Sequence, residues 1–330
     1  MIKTHDHEVY LDEDNPSQKT KYLLTHPKTI VNKINSPDIK MNYGVNPYQG
    51  CEHGCVYCYA RNTHPYWGYS AGLEFESVIM VKASAPALLA KKLSSKSWKG
   101  DPIMFSGNTD CYQPIERKYK LTRQMLELCL THKNPVGIIT KNSLLLRDLD
   151  IIEEMNQDQL VMVSVSLNTL DDAFRQKLEP RASSVKTRLL LIEKLCEAGI
   201  PVNVMFSPVI PGLNDHEVFS FIKTIADLGA SSAKYIMVRL NADVKTIFED
   251  WLTKTFPNKK KKVMNLIAAA HGGKHSDSRF KTRMRGEGKY VESINQQFHI
   301  AMKKYMHDRQ MPELNQSLFR RYKGGQLDLF

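Results

Sequence analysis

From about residue 41 to residue 240, short runs of β-branched and apolar residues alternate with longer stretches whose apolar positions recur at helical spacing. The short runs predict strands at Ser77–Val81, Ile103–Phe105, Val136–Thr140, Leu160–Val165, Val202–Phe206 and Tyr235–Val238. Helices are predicted between them. In Lys118–Thr131 the residues Leu121, Met125 and Leu128 share a face, and in Val185–Ala198 the residues Leu189, Ile192 and Leu195 do so before Gly199 stops the helix. Repeated strand–helix units imply a parallel sheet covered by helices, either a barrel or an open doubly wound sheet, with its chemistry at the carboxyl ends of the strands.

The pattern divides the chain into an N-terminal extension (1–40), an α/β core (41–240) and a C-terminal region (241–330). The extension is polar and weakly periodic. The C-terminal region predicts helices at Lys245–Thr255, Lys259–Ala270 and Val291–Tyr305 around an irregular basic segment, His271–Lys289.

Charge sharpens that division. The formal net charge is +11, with 46 Lys and Arg against 35 Asp and Glu. Residues 240–330 alone hold 18 basic and 9 acidic side chains. A field concentrated in one third of the chain suits a polyanion such as nucleic acid, or simply forms a solvated basic face. Hydrophobic residues at 42% and charged residues at 25% exclude a mainly disordered chain. No apolar run reaches the ~18 residues that cross a bilayer, and the polar N-terminus does not read as a signal peptide, so a cytoplasmic protein is expected. In that compartment six cysteines are thiols, metal ligands or catalysts rather than disulfides.

Three of the six fall within eight residues, as Cys51, Cys55 and Cys58 in Asn46-Pro-Tyr-Gln-Gly-Cys-Glu-His-Gly-Cys-Val-Tyr-Cys-Tyr-Ala-Arg61. Three thiolates on one tight loop can hold three irons of a 4Fe–4S cluster and leave the fourth open to a ligand. A zinc site would want a fourth ligand, for which His53 is available, and a redox pair would not use Cys51. Gly50 and Gly54 let the backbone wrap closely.

The C-x3-C-x-aromatic-C spacing, with Tyr57 as the aromatic, resembles the signature of radical S-adenosylmethionine (SAM) enzymes. SGNTDCYQPIERKYKLTR at 106–123, Thr140-Lys141, Val163–Leu167, Glu179-Pro-Arg181 and Ser207–Gly212 resemble the spore photoproduct lyase-like branch, also labelled DNA repair photolyase-related. The resemblance implies a partial (β/α)6 barrel with SAM across its mouth. There a reduced 4Fe–4S cluster cleaves SAM to a 5′-deoxyadenosyl radical that abstracts a substrate hydrogen.

It also implies roles for residues at strand ends. Asn108, Thr109 and Asp110 stand where the superfamily contacts SAM's amino group, and equally suit an ordinary turn. Lys141 ends a strand, where it faces SAM's carboxylate or merely solvent. Ser164 and Ser166 share one strand face, where they hydrogen-bond to SAM or form a layer of small side chains. Cys111 lies in a loop at a strand end and is either a hydrogen donor to the product radical or a packed thiol. Cys129 and Cys196 extend apolar helix faces and read as core.

Two features mark the C-terminal region. If the segment Arg279–Arg285 is extended, Arg279, Lys281, Arg283 and Arg285 line one face roughly 6.8 Å apart, matching an extended nucleic-acid strand or simply an edge strand's charges. The chain ends Gly324-Gly325-Gln326-Leu327-Asp328-Leu329-Phe330. Gln326, Leu327, Leu329 and Phe330 resemble the motif by which bacterial repair and replication proteins bind the DNA sliding clamp. The expectation is a radical SAM enzyme acting on nucleic acid, most readily DNA, supplied by an electron donor. The alternatives are the same chemistry on RNA or a peptide, or a non-enzymatic iron–sulfur sensor that binds nucleic acid.

Overall fold

The computed structural model describes residues 9–11 and 20–322. The C-terminal clamp-like motif therefore lies outside the described residues. Eleven strands are formed among those described: β1 Val9–Leu11, β2 Lys21–Leu24, β3 Val31–Lys33, β4 Tyr43–Val45, β5 Tyr48–Gln49, β6 Val78–Val81, β7 Ile103–Phe105, β8 Val136–Thr140, β9 Val161–Ser166, β10 Val202–Val209 and β11 Ser232–Met237.

The larger sheet runs β11-β10-β9-β8-β7-β4-β3. Its neighbours from β4 through β11 are parallel, and β3 closes the edge antiparallel to β4. This is the expected six-stranded parallel array. Its first strand is not the expected one, however. The run at Ser77–Val81 forms β6 in a separate four-stranded sheet, β1-β2-β6-β5, and the array instead begins at β4. Three residues including a glycine are too few to declare a strand by pattern.

Residues 1–40 are not a loose arm where they are described. Lys21–Leu24 pairs in parallel with Val78–Val81, and Val31–Lys33 pairs with Tyr43–Val45. The physical reason is edge closure, since β3 and β2 supply backbone partners to sheet edges that would otherwise be open.

Helices cover the outer face of the larger sheet. The helix Val185–Glu197 starts at Ser184, whose hydroxyl accepts the Thr187 N–H, and ends before Gly199 at φ +70°. It buries Leu191, Ile192 and Leu195 against the strands. The helix Leu121–Thr131 buries Leu121, Met125 and Cys129 in the same way. Cys129 is fully buried and Cys196 partly so, both against this core.

On β9 the burial alternates strictly. Val161, Val163 and Val165 face the helices, and Met162, Ser164 and Ser166 face the other way and are only half-buried. The second face is the hollow of the array. The C-terminal region does not stand apart from it. Val291, Ile294 and Phe298 of the helix Lys289–Tyr305 join the main core. Phe248, Trp251 and Leu252 of Asp243–Thr255, with Val263 and Ile267 of Lys260–Ala270, form a second core with Phe174 and Leu178, and Val56 and Tyr57 pack against it. No helix among the described residues is long and apolar enough to cross a membrane.

Candidate active site

The cysteine loop leaves the carboxyl end of β4, so it lies over the mouth of the parallel array. Cys51 and Cys55 are buried and Cys58 is half-buried. Gly50 has φ +78°, and a Cβ there would stand 2.7 Å from the Val78 carbonyl, so this turn admits only glycine.

One arginine holds the loop. Arg61, 1% exposed, donates to the carbonyls of Cys55 at 2.9 Å, Gly54 at 3.0 Å, Ala71 at 3.1 Å and Gly72 at 2.7 Å, and to Glu76 Oε1 at 2.9 Å. Arg181 pairs with the other oxygen of Glu76 and donates to the Glu52 carbonyl. Glu52 in turn accepts from Tyr22 at 2.8 Å and from the Ile115 N–H at 2.7 Å.

A second buried network lies beneath. Lys141 Nζ stands 3.3 Å from Cys55 Sγ, 2.9 Å from the Tyr57 hydroxyl and 2.8 Å from Glu179 Oε1. Glu179, fully buried, also accepts from Tyr57 and is paired with Arg188. Burial alone would raise the Glu179 pKa, but Arg188 and Lys141 hold its carboxyl well below the ordinary range. Burial likewise opposes the charge on Lys141, yet Cys55, Glu179 and Tyr57 together hold its pKa well above the usual value.

Burial pushes the Cys51 thiol up, with added repulsion from Asp110 and the other cysteines, and raises Cys55 to about 11. Binding of a metal cluster by these thiols would displace their protons. The thiols interact electrostatically, and among the described residues no three His, Cys, Asp or Glu side chains converge on one ion's position. His53 does not complete a zinc set. Its ring faces Asn142 at 3.2 Å and Asp110 at 3.5 Å, and burial lowers its pKa to about 4.

The loop Ser106–Asp110 comes beside the cysteines, with Asp110 next to Cys51. The Asn46 side-chain oxygen accepts from the N–H groups of Asn108 at 3.1 Å and Thr109 at 3.3 Å, while Thr109 Oγ1 donates to the Tyr48 carbonyl at 2.9 Å. Asp110 is occupied within the chain, accepting from Thr140 Oγ1 at 2.7 Å and the Lys141 N–H at 2.9 Å. It ties the end of β7 to the end of β8. Ser164 and Ser166 do face the hollow, and Ser164 accepts from Asn203 at 3.2 Å. Two residues beyond Ser166, the buried Asn168 side chain has neither amide atom partnered by the chain. That is unmet hydrogen-bonding capacity at a strand end, as a ligand site requires.

Of the two readings of Cys111 the burial favours packing, and one expected feature is corrected. Cys111 is fully buried in the main apolar core, where its N–H donates to Ser106 Oγ at 3.0 Å and its carbonyl accepts from Thr122 at 2.6 Å. The inward pull on Asp110 turns the next side chain under the strand end. The segment Arg279–Arg285 is not extended. Its backbone turns through Arg283 N to Arg279 O at 2.9 Å and Gly286 N to Thr282 O at 2.7 Å. Arg279 pairs with Asp277 and Glu287, and Arg283 with Asp38, so the four cations form no row. Local carboxylates offered these cations closer partners than a strand ladder would have left them.

A family model described as the radical SAM superfamily matches residues 45–225. The chain belongs to the radical SAM superfamily. It is therefore an enzyme, and the family implies a 4Fe–4S cluster and SAM; Cys51, Cys55 and Cys58 lie within the matched residues. An uncharacterized protein of Mycobacterium tuberculosis is 33% identical over 70% of this chain and 68% of its own length. Another from Methanocaldococcus jannaschii is 28% identical over 76% of this chain and 90% of its own. The radical SAM Nalpha-GlyT isomerase of Pseudomonas phage M6 is 28% identical over 52% of this chain and 34% of its own. Among solved structures, spore photoproduct lyase complexed with dinucleoside spore photoproduct superposes with a TM-score of 0.64 at 16% identity, over 86% of this chain and 79% of that one. The two chains thus share a fold. Sequence reasoning missed Arg61, Glu76 and Arg188 in the site's support. The available signal was charge on an apolar face, since Arg188 precedes Ile192 by one helical turn.

Proposed function

We propose that this radical SAM enzyme binds its cluster through Cys51, Cys55 and Cys58 and acts on nucleic acid, with DNA as the first substrate to test. The observation that carries the reading is the cysteine loop held over the mouth of a parallel array whose fold matches a lyase solved with bound AdoMet and dinucleoside spore photoproduct. When bound, the cluster would pass one electron to SAM and release a 5′-deoxyadenosyl radical able to take a hydrogen atom from the substrate.

The chain's own part is positional. Lys141 offers a cation beside Cys55 for SAM's carboxylate, and Tyr57 and Glu179 orient that cation. Asn108 and Thr109 line the approach, with their backbone fixed by Asn46. Ser164, Ser166 and Asn168 supply polar partners within the hollow. A target within a duplex must be turned out of the stack to reach such a recess. The basic C-terminal region supplies the sequence-independent attraction through exposed cations, including Lys281 and Arg285. The tail residues Gln326, Leu327, Leu329 and Phe330 are proposed to engage a sliding clamp, and an electron donor completes the cycle.

The test is anaerobic incubation of reconstituted protein with SAM, a reductant and defined DNA or RNA, followed by mass spectrometry of the nucleosides. A SAM-dependent change in a DNA nucleoside is expected, and it should vanish in Cys51→Ala, Cys55→Ala and Cys58→Ala. Modification of RNA alone would overturn the choice of DNA, and modification of neither polymer would overturn the nucleic-acid reading.

A further inference from the structure

The sixth parallel strand ends at Met237, after which the chain crosses the mouth. Leu240 N–H bonds to the His275 carbonyl at 2.8 Å, and Asn62 Nδ2 reaches the Asn241 carbonyl at 3.0 Å. These contacts hold Arg239 between the residues that follow the cysteines and the irregular basic segment. Arg239 is half-buried, and among the described residues its guanidinium makes no hydrogen bond or ion pair.

The nearby carboxylates belong to other cations. Asp38 takes Arg283 at 2.6 Å and the Lys281 N–H at 2.6 Å, and Asp277 takes Arg279 at 2.7 Å. Arg283 adds repulsion to the burial that already disfavours the Arg239 charge. A guanidinium cannot escape this by losing its proton, so it remains a partly desolvated cation that Asp38 and Asp277 attract but do not hydrogen-bond.

Tyr59, 47% exposed, interacts electrostatically with both Cys58 and Arg239, and its hydroxyl donates to the Gly107 carbonyl at the end of β7. Phe280 of the basic segment, 49% exposed, is covered on one side by Arg283, whose guanidinium carbon is 4.4 Å from the ring centroid. An exposed tyrosine near a guanidinium that makes no hydrogen bond suits an unstacked strand, and a planar fork of donors matches a phosphate's oxygens.

We propose that Arg239 binds a phosphodiester of the substrate, seating one linkage of an unstacked nucleotide beside the cysteine loop. The inference rests on the nucleic-acid reading above and adds the residue that sets the substrate's register. It assigns the linkage, rather than SAM's carboxylate, to this cation, because Lys141 already stands beside Cys55 for the latter.

The test uses the full chain reconstituted anaerobically with its cluster and SAM. Binding of the dinucleotide dTpdT is compared with that of the same dinucleotide carrying an uncharged methylphosphonate linkage. The SAM-induced change in the reduced-cluster spectrum is recorded in parallel. The wild type should prefer the charged linkage. Arg239→Gln should lose that preference and weaken dTpdT binding about ten- to a hundredfold, as expected for a hydrogen-bonded charge contact. Arg239→Lys, which keeps the charge without the fork, should fall between them. Iron content and the SAM-induced spectrum should remain those of the wild type. If Arg239→Gln alters the SAM spectrum and leaves linkage discrimination intact, the cation serves the cofactor and the proposal is overturned. If the wild type binds both dinucleotides equally, the linkage is not read, and the proposal falls while the nucleic-acid reading stands. If the wild type binds neither of them nor single-stranded DNA, the nucleic-acid reading fails and takes the proposal with it.

Discussion

The cysteine loop and the Arg279–Arg285 segment both depend on arginine–carboxylate pairs, in opposite surroundings. Around the loop, the side chains of Arg61, Glu76, Glu179 and Arg188 are at most 10% exposed. In the basic segment, the Arg279 side chain is 57% exposed and its partner Glu287 42%. Buried charges must be matched by specific partners, so the first set fixes geometry. Exposed charges are screened and exchange partners readily, so the Arg279–Glu287 pair supplies field, while the buried Asp38 and Asp277 anchor the path of the segment. The same residue types thus build a rigid support at one place and an adaptable surface at another.

The sharpest way to break this comparison is to remove one buried partner. Glu179→Gln leaves Arg188 and Lys141 without their carboxylate and should cost about 3–5 kcal/mol, read as a lower midpoint in chemical denaturation. An unchanged midpoint would mean that solvent reaches the pair. Next comes Arg61→Lys, which keeps the charge but cannot span four carbonyls. A loss of about 2–3 kcal/mol is expected from orphaned buried acceptors, together with reduced iron retention on gel filtration. By contrast, Arg279→Ala should shift stability by no more than about 0.5 kcal/mol. For Lys281→Ala and Arg285→Ala, the expected readout is a flatter salt dependence of nucleic-acid affinity, by roughly one in slope for each phosphate that is no longer neutralised.

A pH-dependent effect concerns Lys82, whose ammonium donates to the Asn46 carbonyl at 2.8 Å and whose pKa is lowered by burial to about 8. Between pH 8 and the ordinary lysine range the unfolded chain holds more protons than the folded one. Stability should therefore rise with pH across that window, and Lys82→Met should flatten the rise in a denaturation series.

Much of this architecture was legible because each core strand carries its own apolar run and each helix its own face. Val136–Thr140 is read with the same bounds in sequence and structure. The first parallel strand was hidden because Tyr43–Val45 owes its place to pairing with β7 and β3 rather than to its own composition. The cysteine spacing was legible because one loop contains it. The supporting charges were not, because Glu76 meets Arg181 and Lys141 meets Glu179 only through the fold. In the segment Arg279–Arg285, alternation suggested a strand, but the acidic partners Asp38, Asp277 and Glu287 decided its path.

Arg61 also gives the loop a history during synthesis. Its acceptors at residues 54, 55, 71 and 72, and its partner Glu76, all lie within fifteen positions of it. Arg181 joins the same glutamate across 105 positions. On the ribosome the near clasp becomes available soon after residue 76 has emerged, whereas the far one must wait for more than a hundred further residues and a closed barrel. The nascent chain therefore has an interval in which the near partners of Arg61 and Glu76 are available and the far one, Arg181, is not.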